Sequence, residues 1–349
     1  MDKDQVAFEP TSPVASPVGL PESMDEDTKK ARERRIFQLV YGDRTYYEIV
    51  QHENPDFLVR HFRDSPFFGV EVTEYFHTEA NARIDRIDGY VTDLLQGENF
   101  KHKDDRKTLT VSEVDIIRPD DTIHAKDVPA IIQEVPSPSE CARQVAERIS
   151  KKAERLRAST ANFSHANLII LDNSGVLRLI PKEDFYRIYF VPELLRAIAS
   201  APFREIFLVT HLKDEQVYAP LKMLYLLTEA YLFNGAVVKN GLAERIPEEI
   251  DNAELFAAYL DSTVTSQVLL HEDASGKEVI FGDSGILIGA DGSVTVRLHS
   301  DYPINLDAAA PSQDWEAVLG SQFRDTMNEY RESHAFSTEA VFPVHTDAA

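Results

Sequence analysis

Residues 54–74 read Asn-Pro-Asp-Phe-Leu-Val-Arg-His-Phe-Arg-Asp-Ser-Pro-Phe-Phe-Gly-Val-Glu-Val-Thr-Glu, two apolar runs around the turn residues Asp64-Ser65-Pro66. The β-branched and aromatic residues of the runs, Phe57, Val59 and Phe67 through Val72, predict two short strands. Strand alternation puts Glu71 and Thr73 on one face and turns Val70 and Val72 the other way, into a core. If the strands are neighbours, Asp56 comes close to Glu71, fifteen positions on. Two anions so placed are costly unless a cation joins them. Mg²⁺ (or Mn²⁺) suits such a pair, because it takes one or two carboxylates and keeps several waters, and it can activate water against a phosphodiester.

Outward from this stretch the chain alternates helices and strands. Residues 1–25 carry Pro10, Pro13, Pro17 and Pro21 among polar residues and read as a disordered leader. A helix is expected over 27–40, a first strand over 46–50 and a helix over 79–95. A polar loop over 97–107, a strand over 109–117 and a loop carrying Pro129, Pro136 and Pro138 come next. Residues 139–157 make the clearest helical pattern, with Cys141, Val145, Ile149 and Leu156 near helical spacing. The runs 166–171 and 205–210 are almost wholly apolar, as in strands buried on both faces, with a helix over 184–199 between them. Short strands over 264–270, 278–281, 285–288 and 294–298, separated by Gly and Asp turns, predict an antiparallel meander, and a helix near 315–332 follows. The expected fold is α/β: a mixed central sheet flanked by helices over 26–235, a C-terminal helix plus β-meander over 236–335, and a flexible tail over 336–349.

Composition narrows the function. The chain has 349 residues, 43% of them hydrophobic, enough for a substantial core. Its 36 basic and 59 acidic residues give a formal charge of −23, so any nucleic-acid contact must be made by local basic groups. The single Cys141 excludes an internal disulfide and a cysteine-rich zinc module, which suits a reducing cytoplasm. No stretch stays apolar for the roughly 18 residues that a membrane span needs. A cytoplasmic protein without membrane contact is expected.

The order helix, strand, Pro-Asp strand, Glu-x-x strand, helix and buried strand, with Pro55-Asp56 and Glu71-Val72-Thr73, resembles the PD-(D/E)xK nuclease-like superfamily over about residues 27–172. The string Pro-Asp-Phe followed by Gly-Val-Glu-Val-Thr-Glu is similar to a bacterial and phage subgroup of it. The resemblance implies a restriction-endonuclease-like core and a Mg²⁺-dependent nuclease acting on DNA, or as a second choice RNA, in defence, mobile-element or repair settings. It makes Asp56 and Glu71 the metal ligands. In that superfamily a lysine stands two positions after the Glu; here the position is Thr73, whose hydroxyl can position water but carries no charge. Lys151 or Lys152, from the helix before the buried strand, is the expected substitute, and Arg148, Arg155 and Arg157 add phosphate contacts. Glu33 or Glu48 is a further candidate acid. The alternative is a catalytically inactive nuclease-like fold serving as an acidic interaction module for a basic protein partner.

Other motifs point less sharply. Gly282-Asp283-Ser284-Gly285 has the residues of a serine nucleophile loop but also those of a hairpin turn, and the turn is the expectation. His52, His77 and His211 are expected at the surface or in structural roles. Cys141 is expected to be inert. No Gly-rich phosphate loop is present. The meander is expected to serve substrate recognition or dimerisation, so a homodimer is among the expected assemblies.

Overall fold

The computed structural model describes residues 26–333 apart from 43–44, 98, 119–120, 134–135, 176–190, 213–214, 240, 248, 275, 290–293 and 299–307. The expected leader, the expected tail and the first part of the helix predicted over 184–199 lie outside the described residues.

A six-stranded mixed sheet organises the first two thirds. Helix α1 (Glu26–Tyr41) precedes the antiparallel strands β1 (Glu48–Gln51), β2 (Phe57–Arg60) and β3 (Phe68–Tyr75). Two central strands, β6 (Ala166–Asp172) and β7 (Ile206–Leu212), run parallel to β3, and β8 (Glu215–Pro220) closes the far edge antiparallel, giving the order β1-β2-β3-β6-β7-β8. Alternation divides the side chains between two layers. Ile169, Phe207 and Val209 join Val70 and Val72 under Ile36, Phe37, Val40 and Tyr41 of α1. Leu168, Ile170, Ile206 and Leu208 face the other way, toward α4 (Pro138–Arg157), α5 (Pro192–Ser200) and α6 (Leu221–Lys239). The expected mixed sheet flanked by helices is therefore observed.

Several elements differ from the expectation. The helix predicted over 79–95 is two, α2 (Glu79–Arg86) and α3 (Tyr90–Gly97), because the chain turns at Gly89 with φ +73°. The loop around Pro129 is strand β5 (Ile123–Gln133), paired with β4 (Leu109–Ile117) in a separate two-stranded ribbon. Each strand of such a ribbon keeps one unpaired edge, and an edge tolerates a residue without an N–H. Helix α6 gave no periodic signal: it is apolar nearly all round, as befits a helix covered on most sides, and it continues through residues 235 and 236.

The expected antiparallel meander is present as β9 (Val268–Asp273), β10 (Gly276–Phe281), β11 (Ser284–Gly289) and β12 (Val294–Leu298), with the two-residue β13 (Ala308–Ala309) on the β9 edge. It shares a core with the first sheet's helices. Val279, Phe281 and Ile286 pack with Leu224 and Tyr225 of α6, and α7 (Asn252–Asp261) lies in the same cluster. The helix predicted over 315–332 is α8 (Trp315–Leu319) and α9 (Phe323–Ser333), separated at Gly320 with φ +87°. Arg331 of α9 donates to both Glu229 carboxylate oxygens at 2.8 Å, tying the last helix to α6. No described helix is long and apolar enough to cross a membrane.

Candidate functional site

The site is built where β2 and β3 stop pairing. Their ladder runs from Val59 opposite Phe68 to Phe57 opposite Val70, so beyond it the Val72 N–H has no main-chain partner from β2. Asp56 replaces that partner with its side chain: Oδ2 accepts the Val72 N–H at 2.7 Å. Pro55 crosses tightly over β3, since a Cβ on Gly69 would stand 2.6 Å from the proline Cγ. The preceding residue is held from the other side. The Asn54 carbonyl accepts from Ser159 Oγ at 2.7 Å, and Asn54 Nδ2 donates to the Arg155 carbonyl at the end of α4.

Glu71 lies on the α4 face of β3, as alternation predicts, and is itself buried beneath that helix. Lys152 reaches down from α4. Its ammonium donates to Glu71 Oε1 at 2.6 Å and to the Val72 carbonyl at 2.9 Å, and stands 4.0 Å from Asp56 Oδ2. The three groups thus converge although 15 to 96 positions separate them in the chain. Burial first, and then the charge of Glu71, push the Asp56 carboxyl up to about 7, against the pull of Lys152 and the Val72 N–H.

Around this floor lies a cleft of about 400 Å³, lined on one side by α4 through Arg148, Lys151, Lys152 and Arg155 and on the other by α1 through Lys29, Arg32 and Glu33. Thr73 also lines it, two positions beyond Glu71. Lys151 is exposed, one residue from Lys152 but not at the carboxylates. Glu33 borders the cleft, paired with Lys29 at 3.5 Å. Glu48 does not: it sits on β1, 3.8 Å from Arg60. Glu74 was not singled out by sequence. It accepts from Arg32 Nε at 2.7 Å and Asn173 Nδ2 at 2.6 Å, joining α1 to the end of β3 beside the cleft.

The donor set fits an oxygen-preferring divalent ion. Glu71 Oε2 is buried with no hydrogen-bond partner, and the adjacent Asp56 carboxylate supplies a second anionic donor. Among the described residues, no group of three or more His, Cys, Asp or Glu is arranged to hold a metal. Two carboxylates with remaining positions left to water is a pattern Mg²⁺ accepts.

The other candidates have structural surroundings. Ser284 is fully buried, and its hydroxyl donates to Glu205 Oε2 at 2.9 Å. Glu205 Oε1 accepts the Lys222 N–H at 2.8 Å, and Lys222 Nζ donates to Ser266 Oγ at 2.7 Å, so this cluster clasps the meander to the start of β7 and α6. Gly282 turns the hairpin with φ +68°, as the turn reading expects. His52 Nδ1 lies 3.2 Å from the Pro55 carbonyl, and His77 Nδ1 lies 3.4 Å from Gln144 Nε2. The His211 side chain lies outside the described residues. Cys141 is buried, and burial raises its thiol further from ionisation.

Comparison with protein-family models, with curated proteins and with solved structures returned no match.

Proposed function

We propose that this chain is a divalent-metal-dependent nuclease that hydrolyses phosphodiester bonds of DNA, with RNA the second choice, on a restriction-endonuclease-like core. The observation that carries the reading is Lys152. Its ammonium lies 2.6 Å from Glu71 and 4.0 Å from Asp56, giving the carboxylate pair the cation that Thr73 does not supply.

Each residue has a chemical task in this reading. Asp56 and Glu71 would hold Mg²⁺ or Mn²⁺; when bound, the ion would supply a Lewis acid and a water of lowered pKa. The Val72 N–H fixes Asp56, and the loop over Gly69 fixes Pro55 before it. Lys152 holds a positive charge where negative charge develops on a transferred phosphoryl group, an interaction worth most in a site with little water. The Thr73 hydroxyl, donor and acceptor at once, orients the attacking water. Lys151 sits at the exposed lip, suited to a neighbouring phosphate.

A second reading has one observation in its favour. Lys152 already binds Glu71 Oε1 and the Val72 carbonyl, so one oxygen of the buried carboxylate is matched by a protein cation without metal. On that reading the fold is catalytically inactive and its acidic surface binds a basic protein. Incubation of the purified chain with supercoiled plasmid separates the two: the nuclease reading expects nicking with Mg²⁺ or Mn²⁺ and none in EDTA. An intact plasmid under all three conditions, with a circular single strand left equally intact beside it, supports the inactive fold.

A further inference from the structure

The two walls of the cleft differ in how their charges are matched. On the α1 side the cations are paired: Lys29 with Glu33 at 3.5 Å, and Arg32 with Glu74 and Asp85. On the α4 side Arg148, Lys151 and Arg155 have no carboxylate within ion-pair distance among the described residues, although each lines the cleft. They stand at i, i+3 and i+7, so they share one helix face with Lys152 and span about 10 Å at 1.5 Å per residue. A row of unmatched cations is conspicuous on a chain whose formal charge is −23.

We infer that this row is a rail for one phosphodiester strand, so that the cleft takes single-stranded nucleic acid in preference to duplex. The inference rests on the nuclease reading for the identity of the ligand and adds its form. Three cations in a line along α4 can follow successive phosphates of a single backbone. A second backbone on the α1 side would meet Glu33, Glu53 and Glu74, and the Lys29 and Arg32 beside it are already engaged by Glu33 and Glu74. The cleft volume of about 400 Å³ is on the scale of a small-ligand pocket, which suits an unstacked nucleotide better than a base-paired one. The rail needs no metal, because its groups are cations.

Anisotropy titrations in EDTA test this with a labelled oligothymidylate and a blunt duplex of equal length. The full chain is expected to bind the single strand about tenfold or more tightly than the duplex. The triple variant Arg148→Ala/Lys151→Ala/Arg155→Ala is expected to weaken single-strand binding by about tenfold or more and to lower the slope of log affinity against log salt by about 2. The control Arg34→Ala/Arg35→Ala, on exposed α1 cations outside the cleft, is expected to change binding by less than about threefold, which separates the rail from general charge. Equal or tighter duplex binding overturns the preference for a single strand, and a triple variant that binds like wild type overturns the rail. Binding without any cleavage in Mg²⁺ would remove the nuclease reading and leave the rail standing. Metal-dependent cleavage by a triple variant whose binding is unweakened would do the reverse.

Discussion

Asp56→Ala, Glu71→Ala and Lys152→Ala are each expected to lower Mg²⁺-dependent plasmid cleavage by about 100-fold or more, while Lys151→Ala costs only a few-fold. The carboxylate variants each remove one of two anionic donors, and with only two available the ion is left with a single protein charge. Lys152→Ala removes the one ammonium that the described residues place at the carboxylates, 2.6 Å from Glu71. Its exposed neighbour cannot replace it without turning the helix. The same substitution leaves two buried carboxylates without their counter-charge, so a melt in EDTA is expected to show a lower midpoint for Lys152→Ala, and added Mg²⁺ to recover part of it. Cleavage by Lys152→Ala at the wild-type rate, with the fold intact, contradicts the role given to α4.

Arg331→Ala is expected to destabilise the chain by about 3–5 kcal/mol in urea unfolding, because it strands a buried carboxylate. Glu229 is 1% exposed, and Arg331 holds both of its oxygens at 2.8 Å. Burial nonetheless raises the Glu229 pKa, the desolvation outweighing the arginine. A carboxyl whose folded-state pKa lies above its unfolded value gives most stability below the unfolded pKa and loses it as pH rises through the folded one. Without Arg331 the folded value rises further, so the deficit of the variant should grow from acidic to neutral pH. Arg331→Met paired with Glu229→Gln should recover much of the loss, since no charge is then buried alone. A loss below about 1 kcal/mol for Arg331→Ala would mean that α9 is not held by this pair.

The elements that sequence revealed are those with a strong local period. The helix over 139–157 and the buried strands near 166 and 206 each carry a pattern that packing only had to accept. Alternation in Gly69-Val70-Glu71-Val72-Thr73 put Glu71 on the face opposite Val70 and Val72, and only packing set α4 over the first face and α1 over the second. Helix α6 was illegible because a helix apolar on nearly every side has no stripe to detect, and β5 because Pro129 imitates a loop. At the site, the Asp56 and Glu71 pair was legible from strand order and turn chemistry. The choice between Lys151 and Lys152 was not. They are adjacent on one helix, and only the packing of α4 across β3 decides which ammonium turns inward. The Glu74, Arg32 and Asn173 linkage was likewise hidden, since it joins three elements far apart in the chain.

The central claim, that Asp56 and Glu71 form a divalent-ion site, is tested most directly by titration calorimetry with Mn²⁺ on the full chain and on Asp56→Ala and Glu71→Ala. Wild type is expected to bind the ion at this site, with the corresponding heat lost in both variants while their melts in EDTA remain cooperative. Wild type without measurable binding, or variants that bind Mn²⁺ as wild type does, would contradict it.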